Sequence, residues 1–223
     1  MKGKLIVFEG TDGSGKATQN KLLFDKLQAQ GKRVIRVSFP DYDAPSSTLL
    51  KMYLAGEFGE NPDSINCYVA SSFFAVDRIA SYLKKWKTEL DNGAIILLDR
   101  YTTSNMVHQT SKLPKDRWDE YLDWIYDFEF NKMGLPAPDL TVYLHVNVEV
   151  SEKMMAKRYD NDDSKKDIHE KDPDYLRRCE ESGIYSAHKF GWKLVECVKN
   201  DRLRSIEDIG NEVFEYVSEI IAD

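Results

Sequence analysis

The sequence predicts an α/β fold, a five-stranded parallel sheet between two layers of helices, and two observations carry that expectation. Apolar runs too short for helices alternate with longer amphipathic stretches, and most of the runs are nearly unbroken in Val, Ile, Leu and Phe, as strands covered on both faces must be. The runs are LIVF at 5–8, VIRVSF at 34–39, AIILL at 94–98, LTVYLHV at 140–146 and KLVECV at 193–198. The first three, and the fourth less strictly, read as central strands. Lys16 to Gln30 has helical spacing and stops at Gly31, and Ser64 to Asp91 is a long helical stretch closed by Asn92-Gly93. Pro114 and Asp116 open another, which runs to about Lys132 ahead of GLPAPD. The segment from Arg158 to Asp174 is dense in charge and nearly free of large apolar residues, the composition of a solvated loop or a mobile lid. Nothing resembles a repeat or an interdomain linker, so the expectation is one domain over 1–223 with a lid at about 158–174.

Composition narrows the function. A chain of 223 residues that is 42% apolar and 12% aromatic can bury a sizeable core. A net charge of −7 runs against a polymeric nucleic-acid binder, which needs a broad basic surface for counterion release. A small anionic substrate needs only a local basic pocket. Cys67, Cys179 and Cys197 stand far apart without paired spacing, so neither a zinc site nor a disulfide framework is expected and a reducing cytoplasm fits best. No stretch approaches a membrane span, and the apolar run before Glu9 is too short for a signal peptide.

The most informative motif follows the first strand. GTDGSGKAT, from Gly10 through Thr11, Asp12, Gly13, Ser14, Gly15, Lys16 and Ala17 to Thr18, lies between a strand and a helix in the order a phosphate-binding P-loop requires. Glycines at 10, 13 and 15 let backbone N–H groups turn inward, the helix N-terminus adds partial positive charge, and Lys16 supplies a full charge to the β and γ phosphates of ATP. A chance glycine turn would not bring glycines, lysine and flanking elements together. The motif departs from its usual form at Ala17, where a Ser or Thr hydroxyl normally binds magnesium; Thr18 is the next hydroxyl. No N-K-x-D segment suggests guanine reading, which leaves small phosphotransferases. Asp99 and Arg100 end the third strand, where ligands of open α/β sheets bind. The aspartate there can hold Mg2+ directly or through water, or polarise the surroundings of the acceptor phosphate; a structural ion pair is the alternative. The arginine can grip the acceptor phosphate.

At this point the chain resembles the thymidylate kinases over nearly its whole length. The motifs are FEGTDGSGK at 8–16, FPDY at 39–42, FFAVDR at 73–78, DRYTTSN at 99–105, GLPAPDLTVYL at 134–144 and a charged segment after AKRYD at 156–160. The resemblance implies a P-loop kinase moving the γ-phosphoryl group of ATP to dTMP, with Mg2+, in dTTP synthesis. It implies that Phe74 stacks on the thymine and Arg78 hydrogen-bonds a base carbonyl. It also implies that Asp12 lies near the deoxyribose 3′-hydroxyl, that Phe39 and Pro40 line the acceptor cleft with Tyr42 and Ser104, that Arg100 holds the acceptor phosphate, and that Asn105 and Gln109 face the base edge. A homodimer is implied too, with the helix over 64–91 as a contact surface. Phe73 and Phe74 cannot share a helical face, so one is core and one is site; Phe74 is the expected site residue, with Arg78 four positions on along its face.

Three departures stand out. His108 occupies a place near the sugar where the family usually carries Tyr or Phe. Tyr42 stands where many members have Arg. Gly13 replaces an Arg found in one branch, so the cation at the transferring phosphoryl is expected from Arg158, Lys165 or Lys166, with Lys157 a weaker candidate. His145, His169 and His188 are scattered and read as non-catalytic. Two rival functions remain, a deoxynucleoside kinase with Glu9 as its base and a nucleotide-binding switch without turnover; turnover with nucleoside monophosphates separates them.

Overall fold

The computed structural model describes residues 2–151, 154, 168–199 and 202–221. Strands β1 (Leu5–Glu9), β2 (Val34–Ser38), β3 (Ile95–Asp99), β4 (Leu140–His145) and β5 (Lys193–Glu196) form one parallel sheet in the order β2-β3-β1-β4-β5. Side chains alternate across it as the pleat demands. Ile6, Phe8, Leu97, Val142 and Leu144 face one way, onto helix α1 (Lys16–Ala29) and the C-terminal helix, of which Leu23, Leu27, Ile209, Val213 and Val217 are buried. Leu5, Val7, Ile96 and Leu98 face the other way, onto Tyr82, Trp86, Leu90, Tyr101 and Leu135. The three-layer expectation holds. The expectation that the second run is central does not: β2 is an edge strand, and its alternation of half-buried Ile35 and Val37 with exposed Arg36 and Ser38 is that of a strand with one covered face. The last run also breaks, since the ladder with β4 ends at Glu196, and Val198–Lys199 (β6) instead pairs antiparallel with Arg202–Leu203 (β7).

The helices carry local detail that periodicity hides. The stretch expected from Ser64 starts later, because Asn66 accepts the backbone N–H of Val69 at 2.9 Å and caps α3 (Cys67–Ser81). It continues through a π-helical turn at Tyr82–Trp86 into α4 (Lys87–Asp91). Short helices α2 (Thr48–Leu54) and α5 (Thr102–His108) flank the sheet's carboxyl end, and α6 (Trp118–Tyr126) runs into a second π-helical segment, Asp127–Lys132. Helix α7 (Pro173–Phe190) turns a face of Cys179, Ser182, Gly183, Ser186 and Ala187 inward, too small and polar to register as an apolar stripe. That face allows close approach: a Cβ on Gly183 would stand 2.2 Å from the Tyr143 hydroxyl on β4. Helix α8 (Ile206–Ile221) completes the chain. Among the described residues no helix is long and apolar enough to cross a membrane.

The carboxyl end of β4 carries a charged clasp. His145 Nε2 lies 2.9 Å from Glu180 on α7 and Nδ1 lies 2.7 Å from Glu196 on β5. The hydrogen bond to Glu180 leads in raising its pKa from 6.5 to about 8, burial opposing and Glu196 adding to the rise. A folded-state value above the unfolded one adds stability that is fully present below the unfolded pKa and is lost as pH rises through the folded value. The expected outcome is a fall in the unfolding free energy read by urea titration between about pH 6.5 and 8, on the order of 1–2 kcal/mol. The pH slope should disappear in His145→Asn; an unchanged slope would place its origin elsewhere.

Candidate active site

The site is built where β1 and β3 end side by side. Phe8 pairs with Asp99, and the Arg100 N–H donates to the Phe8 carbonyl at 3.0 Å, so the residue after β3 stands beside the glycine turn after β1. This is a position where ligands of open parallel sheets bind. Gly10, φ +146°, admits no side chain, since a Cβ would meet the Leu144 carbonyl at 2.6 Å. Gly15 holds a left-handed conformation as N-cap of α1 and supplies no side-chain cap, which leaves first-turn N–H groups of α1 free for an anion. The Lys16 ammonium reaches back across the loop to the carbonyls of Gly10 at 2.9 Å and Thr11 at 2.8 Å. Burial, with Arg100 adding to it, lowers its pKa. The hydroxyls of Thr11 and Ser14 are buried without partners among the described residues.

Arg100 is the centre of the charge cluster. Its φ of 67° makes it the sole non-glycine residue with positive φ among the described residues, a conformation that persists only where the surroundings over-determine it. They do so here. Its guanidinium donates to Asp12 at 2.5 Å, to Glu9 at 3.4 Å, to Ser104 Oγ at 3.3 Å and to His108 Nε2 at 3.2 Å. Burial is the largest single influence on the Asp12 carboxyl and works to raise it, but Arg100, Lys16 and His108 together outweigh it and hold the group below the usual carboxylate range. Glu9 is fully buried: Oε2 accepts from Thr103 and Ser104, both at 2.7 Å, and Oε1 from the Gly10 N–H at 3.0 Å. A carboxylate so enclosed orients Arg100 and Ser104 and is poorly placed as a base.

One cleft of about 550 Å³ joins this cluster to the acceptor residues. Asp12, Gly13, Gly15, Lys16, Ala17 and Thr18 line one end, while Gly10, Thr11 and Ser14 lie outside its lining. Asp99 also lines it and makes no side-chain hydrogen bond or ion pair among the described residues, whereas Arg100 beside it does form structural ion pairs, with Glu9 and Asp12. The other end is lined by Phe39, Pro40, Tyr42, Phe74, Arg78, Ser104, Asn105 and Gln109. The Phe39-Pro40 bond is cis. Phe74 meets Tyr53 edge-on at 6.1 Å and lines the cleft, whereas Phe73 turns to Phe58 and stays out of the lining; both rings are half-buried against the same apolar cluster. Both side-chain polar atoms of Gln109 are buried without partners among the described residues, a costly arrangement that a ligand's polar edge would relieve. Arg158, Lys165 and Lys166, like Lys157, lie outside the described residues.

Sequence reasoning missed three groups here. Residues 168–174, expected as the end of a solvated lid, belong instead to the body: Ile168 packs on Leu50, Tyr53, Leu54 and Ala70, and Pro173 starts α7. His169, expected to be scattered and non-catalytic, lines the cleft with Glu170, and its ring stacks on His108 at 5.7 Å and 10°. Because arginine only donates, His108 Nε2 accepts, which puts the ring proton on Nδ1 facing the Cys179 sulfur at 3.5 Å. Burial, then Arg100, lowers His108 to about 3, and His169 is lowered as well. Burial pushes the Cys179 thiol up to about 12. Glu129, the third, is a buried carboxylate that takes Arg78 Nε at 2.7 Å and Nη2 at 2.6 Å. As the single aliphatic residue in a charged run, Ile168 carried a signal; nothing in the sequence pattern marked Glu129.

The thymidylate kinase family model matches residues 8–207, which include every residue that lines this cleft. The chain belongs to the thymidylate kinase family. It is 30% identical over 176 residues to the thymidylate kinase of Mycobacterium tuberculosis, covering 78% of this chain and 81% of that one. It is 27% identical over 219 residues to that of Plasmodium falciparum, covering 98% and 91%. The solved structure of the Candida albicans thymidylate kinase superposes with a TM-score of 0.71 at 23% identity, over 98% of this chain and 92% of that one, and shows the same fold. Thymidylate kinases phosphorylate dTMP to dTDP with ATP as donor, and the chain is an enzyme of this kind.

With Asp12 held low and His108 near 3, neither group changes charge between about pH 5 and 8, and the titrating species there is the acceptor phosphate, whose second pKa is about 6. The pH profile of kcat/KM should therefore keep the same acid limb in His108→Gln, whatever its absolute rate. A displaced limb would show that His108 titrates.

Proposed function

We propose that the two ends of this cleft hold ATP and dTMP, with Arg100 between them on the acceptor phosphate. The observation that carries the reading is the continuity of one cleft from Lys16 to Gln109 through Arg100. Lys16 and the N-terminus of α1 would cradle the donor phosphates. Asp12, Glu9, Ser104 and His108 hold the Arg100 fork in place. Phe74 supplies a flat face for the base. Arg78, Asn105 and Gln109 supply its polar edge. A phosphate monoester is itself a competent nucleophile, so positioning and charge neutralisation suffice, and no Ser, Cys or His nucleophile is required.

Magnesium fits the donor set. Ala17 offers no oxygen, but Asp99 presents to the cleft a carboxylate unpaired among the described residues, and Mg2+ commonly takes one or two carboxylates, substrate phosphates and water. Asp99 would hold it, directly or through water, and its chemistry there is neutralisation of phosphate charge. The buried free thiols of Cys67, Cys179 and Cys197 suit a reducing cytoplasm.

ADP release should be measured with ATP and each of dTMP, dUMP, dCMP, dGMP, AMP and thymidine. The expected result is fastest turnover with dTMP and none with thymidine. Lys16→Ala should abolish transfer while the circular dichroism spectrum stays native. Turnover of thymidine in place of dTMP would favour the deoxynucleoside kinase, and full activity of Lys16→Ala would overturn the phosphate-loop assignment.

The homodimer implied by the resemblance is supported by a stripe of exposed apolar residues, Val69, Val76 and Leu83, seven apart along α3 and the turn after it. Light scattering should give twice the chain mass for the native protein and a monomer for Val76→Glu with Leu83→Glu. A native monomer would remove this surface as an interface.

A further inference from the structure

Glu129 sits in the π-helical segment Asp127–Lys132, fully buried. Its carboxylate accepts four hydrogen bonds, from Arg78 Nε at 2.7 Å and Nη2 at 2.6 Å, Thr102 Oγ1 at 2.8 Å and Asn105 Nδ2 at 3.2 Å. A buried ion pair adds little net stability over an apolar pair of similar volume, so its use is better sought in orientation. Two of the three residues that donate to it, Arg78 and Asn105, line the acceptor end of the cleft.

A carboxylate only accepts, and that fixes both neighbours. Arg78 commits its Nε–Nη2 edge to Glu129, which sets the plane of the guanidinium. Nη1 gives one hydrogen to the Tyr101 carbonyl at 3.3 Å, and the other remains as a donor. The Asn105 amide must turn Nδ2 toward Glu129 and toward the Ser71 carbonyl at 3.3 Å, so its free atom is the acceptor Oδ1. A donor from Arg78 and an acceptor from Asn105 complement a pyrimidine with a carbonyl beside a ring N–H. They clash with one that carries an amino group beside an unprotonated ring nitrogen.

We propose that Glu129 is a positioning residue that sets the hydrogen-bond polarity of the base-reading edge, and with it the preference for keto over amino pyrimidines. The inference rests on the reading of Arg78 and Asn105 as base-facing. Glu129→Gln keeps the size of the side chain but replaces one accepting oxygen by a donor, which opposes Arg78 or allows the Asn105 amide to reverse.

The test is steady-state kinetics with dTMP and dCMP on Glu129→Gln, Arg78→Ala and the double variant. Glu129→Gln should lower kcat/KM for dTMP and compress the dTMP to dCMP ratio, each by roughly tenfold or more, with KM for ATP unchanged. In the Arg78→Ala background the same substitution should add far less than it does alone, since both act on one network. Glu129→Asp keeps the charge, should retain more of the ratio than Glu129→Gln, and serves as the readout if the glutamine variant does not fold. If Arg78→Ala leaves KM for dTMP untouched, the base-facing reading of Arg78 falls, and this inference with it. A large Arg78→Ala effect with an unaltered dTMP to dCMP ratio in the Glu129 variants overturns the role of Glu129 alone.

Discussion

The Arg100 guanidinium is the tie on which the site depends. It follows β3, while its partners Glu9 and Asp12 lie at and just beyond the end of β1, so the ion pairs bridge the two strands whose carboxyl ends form the floor of the cleft. Without its anions a largely buried guanidinium would be costly, and without the guanidinium three carboxylates, Glu9, Asp12 and Asp99, would face one another in a confined space. Each charge is tolerable because the others are present. The left-handed backbone at Arg100 belongs to the same arrangement, because it swings the side chain toward the glycine turn at a local conformational cost.

That dependence radiates outward. Ser104 passes Glu9 to Arg100, His108 offers a neutral acceptor, and Cys179 and Ser111 complete the far side of the imidazole. The α7 face that meets α5 is small and polar, since it must supply hydroxyls to backbone carbonyls of that helix as well as bulk: Ser182 donates to the Val107 carbonyl at 2.6 Å and Ser186 to that of Met106 at 3.1 Å. The acceptor end is a separate polar island centred on Glu129, and Asn105 and Ser104, neighbours on one short helix, belong one to each.

Much of this was legible in the sequence, and for identifiable reasons. Strands β1, β3 and β4 announce themselves because burial on both faces demands unbroken apolar runs, and the glycines and Lys16 announce the phosphate loop because few backbones can turn that tightly. Helical spacing separates Phe73 from Phe74, and the resemblance to the thymidylate kinases singles out Phe74 with Arg78 on its face. What stayed hidden depends on pairing across the chain. The edge position of β2 is a matter of strand order, which a local pattern does not encode. Glu129 looks like any helical glutamate until α6 and its π-helical turn bring it against α3. His169 follows a charged run whose composition reads as solvated, and only the docking of Ile168 onto α2 and α3 turns it inward.

The three thiols give the molecule a further property. Cys67, Cys179 and Cys197 lie in three different parts of the body, all buried, and burial raises the pKa of each, to about 12 for the last two. A thiol reacts as its thiolate, so alkylating reagents and mild oxidants find almost nothing to attack while the chain is folded. Reaction then waits for local or global opening, and each cysteine becomes a clock for its own neighbourhood. Cys179 times the separation of α7 from α5 beneath His108, Cys67 the unwinding of α3 at its capped start, and Cys197 the fraying of the sheet beyond β5. The same burial that makes these residues silent in catalysis lets them record, without any added label, which part of the enzyme opens first.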